Sequence, residues 1–116
     1  MYNYRQLDTA KCDFVAIAPL EDVPQDSRLF VEIDGRPIVV FNIAGQLFAI
    51  GDVCSHDDGP LGDGELEGLV VVCPRHGARF DLQTGKVLSL PAVVDIPAYP
   101  VRVQDGQIEI GVPLEE

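Results

Sequence analysis

The sequence predicts an all-β fold, an antiparallel sandwich or small barrel, and two observations carry that reading. Nine prolines and eleven glycines are spread along 116 residues, which leaves little room for helices. Where apolar residues recur, they do so with period two, the signature of a half-buried strand. The length suits a single core spanning residues 1–116. A chain of this size buries roughly two-thirds of its unfolded surface and needs no disulfide staples.

The elements follow in order. Residues 12–17 (Cys-Asp-Phe-Val-Ala-Ile) read as a strand, with Cys12, Phe14 and Ala16 on one face and Cys12 taken as a small core residue. In residues 29–34, Leu29, Val31 and Ile33 share a face opposite Glu32 and Asp34. Residues 38–43 and 69–72 are apolar on both faces and are expected to be central, fully buried strands. In residues 99–104, Tyr99, Val101 and Val103 oppose Arg102 and Gln104. Hairpin signals stand at Asp34-Gly35, Ala44-Gly45, Thr84-Gly85 and Asp105-Gly106, since type I′ turns need positive φ at both central residues.

Charge and hydropathy exclude several function classes. Eight Lys plus Arg against nineteen Asp plus Glu give a net charge of −11, which repels a phosphate backbone; nucleic acid is not an expected partner. An acidic surface does suit steering towards a basic protein. The apolar runs at residues 37–41 and 69–73 are far shorter than the roughly 20 residues of a membrane span. No basic-then-apolar leader is visible at the N-terminus, so a cytoplasmic protein is expected.

Two irregular segments, residues 53–68 and 73–77, break the strand rhythm and contain both histidines and two of the three cysteines. Loops on a rigid β scaffold are where binding residues concentrate. The pattern is Cys54-Ser55-His56, sixteen residues, then Cys73-Pro74-Arg75-His76. Cys and His bind iron–sulfur clusters, zinc and copper. A Cys54–Cys73 disulfide is the other reading, but an odd cysteine count and the absence of a leader argue for a reducing compartment. Zinc fingers pair Cys with Cys and His with His, whereas each pair here is mixed, which suits a centre with chemically different ends.

That pattern, continuing into Gly77, closely resembles the Rieske motif, in which two Cys hold one iron of a [2Fe–2S] cluster and two His the other. The resemblance extends to Gly59-Pro60-Leu61, Phe80-Asp81, Thr84-Gly85, Leu90-Pro91-Ala92 and the ending from Tyr99 to Gly106, which are similar to the small soluble Rieske ferredoxins. It implies a Rieske-like β sandwich whose cluster-binding subdomain, about residues 52–92, is formed by two loops. By the same resemblance Cys54 and Cys73 would ligate the inner iron and His56 and His76 the outer one. Leu90-Pro91-Ala92 would be the third loop covering the cluster. Gly59, Pro60, Gly77 and Pro91 would be structural, with Gly77 giving room for close backbone approach.

Departures from the family pattern bear on redox level. The high-potential members carry an extra Cys in each cluster loop, where this chain has Gly59 and Arg75, and hydroxyl donors where it has Ala78 and Phe80. Without those donors, and with Asp57, Asp58, Asp63, Glu65 and Glu67 nearby in sequence against Arg75 and Arg79, a potential of about −150 mV is expected, the low end of the Rieske window. Four protein ligands would leave no open metal position for a small-molecule substrate. The resemblance therefore implies an electron carrier rather than an enzyme, passing one electron from a reductase to a terminal oxygenase. The alternatives are a small subunit of a larger reductase, similar to nitrite reductase small subunits, and a structural zinc module. Asp57 and Asp58, beside His56, are candidates for docking a basic partner.

Overall fold

The computed structural model describes residues 3–6, 9–55, 59–75, 77–92 and 94–114. Among them, ten strands form three antiparallel sheets, and helical geometry is confined to three short 3₁₀ turns. The strands are β1 (Cys12–Pro19), β2 (Ser27–Ile33), β3 (Arg36–Ile43), β4 (Gln46–Gly51), β5 (Leu66–Glu67), β6 (Val70–Val72), β7 (Arg79–Asp81), β8 (Ala98–Tyr99), β9 (Val101–Gln104) and β10 (Gln107–Pro113). The sheet orders are β1-β10-β9, β2-β3-β4-β8 and β5-β6-β7.

Three hairpins turn where X-Gly pairs predict them. Asp34 and Gly35 (φ 52° and 77°), Ala44 and Gly45 (55° and 88°), and Asp105 and Gly106 (54° and 78°) all have the paired positive φ of a type I′ turn. These turns set the β2–β3, β3–β4 and β9–β10 registers. At Thr84-Gly85 only Gly85 has positive φ, and the chain returns through an isolated Phe80–Val87 bridge.

The four-stranded sheet is the middle layer. On β3 and β4, Val39, Phe41, Phe48 and Ile50 face one buried cluster, while Ile38, Val40 and Ala49 face another. That is why residues 38–43 read as apolar on both sides: both faces of this strand are covered. The second cluster is closed by Ile110 and Val112 of β10. The first is closed by Val71, Phe80, Leu82, Ala92 and Ile96, together with Cys54 and Cys73. The cysteine-bearing loops thus sit on a rigid layer, with each fully buried Val or Phe stabilising it by about 1.5–3 kcal/mol.

Two strand expectations are corrected. On β1 the residues packed on the core are Val15 and Ile17; Cys12 is buried, but Ala16 is exposed and a register shift interrupts the β1–β10 ladder after it. Both faces of this strand carry apolar residues, and the single polar one, Asp13, lies at its start on the face that is buried further along, so alternation pointed to the wrong side. In residues 69–72 only Val71 is fully buried, because the β5-β6-β7 sheet packs on the core with one face. β6 is nonetheless its central strand. No helix among the described residues is long and apolar enough to cross a membrane.

Candidate metal centre

The first loop leaves β4 at Gly51 and is fixed at its entrance by Asp52. The Asp52 carboxylate accepts hydrogen bonds from the Leu61 and Gly62 backbone N–H groups, at 2.9 and 2.6 Å. Inside that closure, the Cys54 N–H donates to the Gly59 carbonyl at 2.8 Å. The second loop repeats the device. The Cys73 N–H donates to the Ala78 carbonyl at 2.7 Å, and the Gly77 N–H returns to the Cys73 carbonyl at 3.0 Å. Each cysteine therefore opens a loop that closes on the fifth residue after it.

Both thiols are shielded from solvent. Cys54 is 0% and Cys73 2% exposed, and they share one buried cluster with Leu61, Val71, Ala78, Phe80 and Ala92. Neither is in a disulfide, nor is Cys12, which lies apart on β1. The predicted ligands His56 and His76, and with them Asp57 and Asp58, lie outside the described residues. The structure thus brings together the two cysteines of the predicted set.

Gly77 has φ 78°, and among the described residues no atom beyond its chain neighbours would come within 4 Å of a Cβ there. Its glycine is explained by the left-handed backbone that turns the loop. Beside it, Asp63, Gly64, Glu65, Val72, Cys73 and Pro74 help to line a cavity of about 350 Å³.

The third loop packs against the cysteine-bearing cluster of buried residues. Leu90–Pro91 is a cis peptide, Ala92 is buried in the cysteine-bearing cluster, and Leu90 is 75% exposed. The Ser55 hydroxyl donates to the Val94 carbonyl, joining this loop to the first. Arg79 carries the second loop away: its N–H donates to Ser89 Oγ at 3.1 Å, and its guanidinium pairs with Glu67. Arg79 therefore opposes the local acidic charge less than a lone cation would.

Several pins escaped the sequence reading. Arg28 donates to the Gly62 and Gly64 carbonyls while its guanidinium lies 4.9 Å from the Phe41 ring centre. Arg75 donates to the Pro60 carbonyl at 2.5 Å, across the gap between the two loops. Asp52 was findable, since an Asp entering a loop commonly caps backbone N–H groups. The arginines were not, because their partners are carbonyls some 15 to 36 residues away.

The donor chemistry fits an iron–sulfur centre. Two buried cysteines at the mouths of adjacent loops offer thiolates, whose charge in an apolar setting calls for a cation. The comparisons agree. Residues 13–100 match a family model described as Rieske [2Fe-2S] domain. The 3-phenylpropionate/cinnamic acid dioxygenase ferredoxin subunit of Escherichia coli is 43% identical over 97 residues, 82% of this chain and 90% of that protein. Among solved structures, the ferredoxin of carbazole 1,9a-dioxygenase from Nocardioides aromaticivorans superposes with a TM-score of 0.78 at 30% identity, covering 84% of this chain and 95% of that one. A complex of reduced oxygenase and oxidized ferredoxin in carbazole 1,9a-dioxygenase contains a chain matching at TM-score 0.78 and 28% identity, covering 89% and 97%.

Proposed function

The chain belongs to the Rieske [2Fe-2S] family, and from that premise we propose that Cys54, His56, Cys73 and His76 hold its cluster. It is an electron-transfer protein: the bound cluster takes up and releases one electron at a time. The reading is carried by one observation, the pair of buried cysteines at the mouths of two loops closed in the same way. Cys54 and Cys73 bind as thiolates, and their burial keeps water from that side of the centre. His56 and His76 supply the imidazoles. Leu61, Val71, Ala78, Phe80 and Ala92 form the apolar wall that lowers the local dielectric.

The chain acts as one domain, residues 1–116, with residues 52–92 as its cluster-binding part. The Asp52, Arg28 and Arg75 contacts all fix backbone within that stretch. Its donor is a reductase and its acceptor the terminal oxygenase of a ring-hydroxylating dioxygenase system. Resemblance to named ferredoxin components supports this over the reading as a small subunit of a larger reductase. The cysteines, none of them in a disulfide, support placement in the cytoplasm.

Low-temperature EPR of the dithionite-reduced protein, with iron and acid-labile sulfide assayed on the same sample, tests the reading. About two irons and two sulfides per chain, with a rhombic signal whose mean g lies below that of all-cysteine clusters, is expected. Stoichiometric zinc without sulfide overturns it. Replacing His56 or His76 with Cys should move the mean g upward or abolish the signal, and an unmoved signal removes that histidine from the ligand set.

A further inference from the structure

We propose that Arg75 is a positioning residue that locks the two cysteine loops together, so that the first loop is kept closed by a side chain of the second. The inference rests on the ligand assignment above. Arg75 lies between Cys73 and His76, and its guanidinium reaches across to donate to the Pro60 carbonyl at 2.5 Å. To get there it passes directly over Gly59. A Cβ on Gly59 would lie 2.8 Å from both Cζ and Nη2 of Arg75 and 3.1 Å from Nε. Gly59 is the residue whose carbonyl accepts from the Cys54 N–H. One guanidinium therefore covers the closing residue of the first loop and bonds to the next.

The rest of the first loop is held from elsewhere. Asp52 fixes Leu61 and Gly62 from within, and Arg28 fixes Gly62 and Gly64 from β2. Ser55 is tied to the third loop. Among the described residues, Arg75 is a contact by which the second loop grips the first, at an exposed position where it also brings a positive charge to the centre. The contact has two separable consequences. Geometric closure slows escape of the cluster, and the charge favours the reduced state.

Three variants of the cluster-loaded protein separate these consequences: Arg75→Gln, Arg75→Lys and Gly59→Ala. Cluster loss is followed by visible absorbance in the presence of an iron chelator, and potential by dye-mediated titration. Arg75→Gln should lose its cluster several-fold faster and have a lower potential. Arg75→Lys should keep the potential but lose the cluster faster, because a lone ammonium cannot span the same fork. Gly59→Ala displaces the guanidinium while leaving its charge on the chain, and should match Arg75→Gln in loss rate with a smaller change in potential. The double variant Gly59→Ala with Arg75→Gln should be no worse than either single one, since both break one contact. A wild-type loss rate in both Arg75→Gln and Gly59→Ala overturns the proposal. So does strict additivity in the double variant. Failure of the wild-type protein to show the EPR signal instead refutes the ligand assignment, so the two failures are distinguishable.

Discussion

Gly64 lies so close to the chain of β6 that a Cβ on it would stand 1.8 Å from the Val72 carbonyl oxygen. Val72 in turn donates its N–H to the Glu65 carbonyl at 2.9 Å, one residue before Cys73. The end of the acidic first loop is thereby laid directly on the strand that leads into Cys73. Gly64→Ala must push these backbones apart. Overpacking against backbone costs at least about 1–3 kcal/mol, and urea unfolding should show it. A variant with wild-type stability would mean that the loop does not rest on β6.

Ala78 and Phe80 are fully buried in the cluster that contains Cys54 and Cys73. Neither can donate a hydrogen bond from its side chain, so no side chain at these positions stabilises the added electron. The potential should lie near the low end of the Rieske window, about −150 mV. Ala78→Ser and Phe80→Tyr should each raise it. A hydrogen bond worth about 1 kcal/mol more to the reduced state corresponds to about 45 mV for a one-electron couple. A titration of the unaltered protein above about +150 mV, in the upper part of that window, would refute the argument.

Much of this was legible in the sequence, for reasons that differ between elements. The Asp34-Gly35 and Asp105-Gly106 turns were readable because local chemistry decides them: positive φ is demanded where the residues tolerate it. β3 was readable because burial on both faces leaves an uninterrupted apolar run. β4 and β10, unlike β3, were not singled out. β10 carries Gly111 and Pro113 within its span, and Gly weakens a strand while Pro cannot donate to its ladder, so the segment reads as broken. The face of β1 depended on which side of the β1-β10-β9 sheet would pack on the four-stranded sheet, a tertiary choice with no local trace. In the site, the two cysteines stood out by spacing. Arg28 and Arg75 did not, because what they hold is backbone, and backbone carbonyls have no sequence signature.

Asp52 bonds two successive backbone N–H groups with one carboxylate oxygen. Asp52→Ala leaves both donors of this partly buried segment without that partner, at a cost of about 1–3 kcal/mol. Asp52→Asn keeps an acceptor oxygen but loses the charge assistance, and should fall between the two. Thermal melts of the three proteins check the order. Equal stability of Asp52→Ala and the parent would show that water replaces the carboxylate without penalty.

Tyr99 of β8 is buried, and burial pushes its phenol above the ordinary tyrosine range, only partly offset by the Arg36 guanidinium that bonds it. Arg36 is raised in turn, chiefly by that bond to Tyr99. The folded state therefore prefers the neutral phenol. Its contribution is fully present below about pH 10, the unfolded value, and is lost as pH climbs through the higher folded value. Stability measured by denaturant unfolding should fall above about pH 10, and Tyr99→Phe should flatten that alkaline limb. An equally steep limb in Tyr99→Phe would place its origin in another group.

Asp57 and Asp58 directly follow His56 in a chain of net charge −11. Two carboxylates beside a proposed outer ligand would raise the encounter rate with a basic reductase without adding contact area, because steering acts before docking. Replacing both with Asn should slow reduction of the cluster by the reductase at low ionic strength. The difference should shrink as salt rises, since the Debye length contracts from about 30 Å at 0.01 M to about 3 Å at 1 M. Stopped-flow measurement of reduction across that range tests the point. A rate that does not change at low salt removes docking by these two residues, and a loss independent of salt would assign them to loop structure instead.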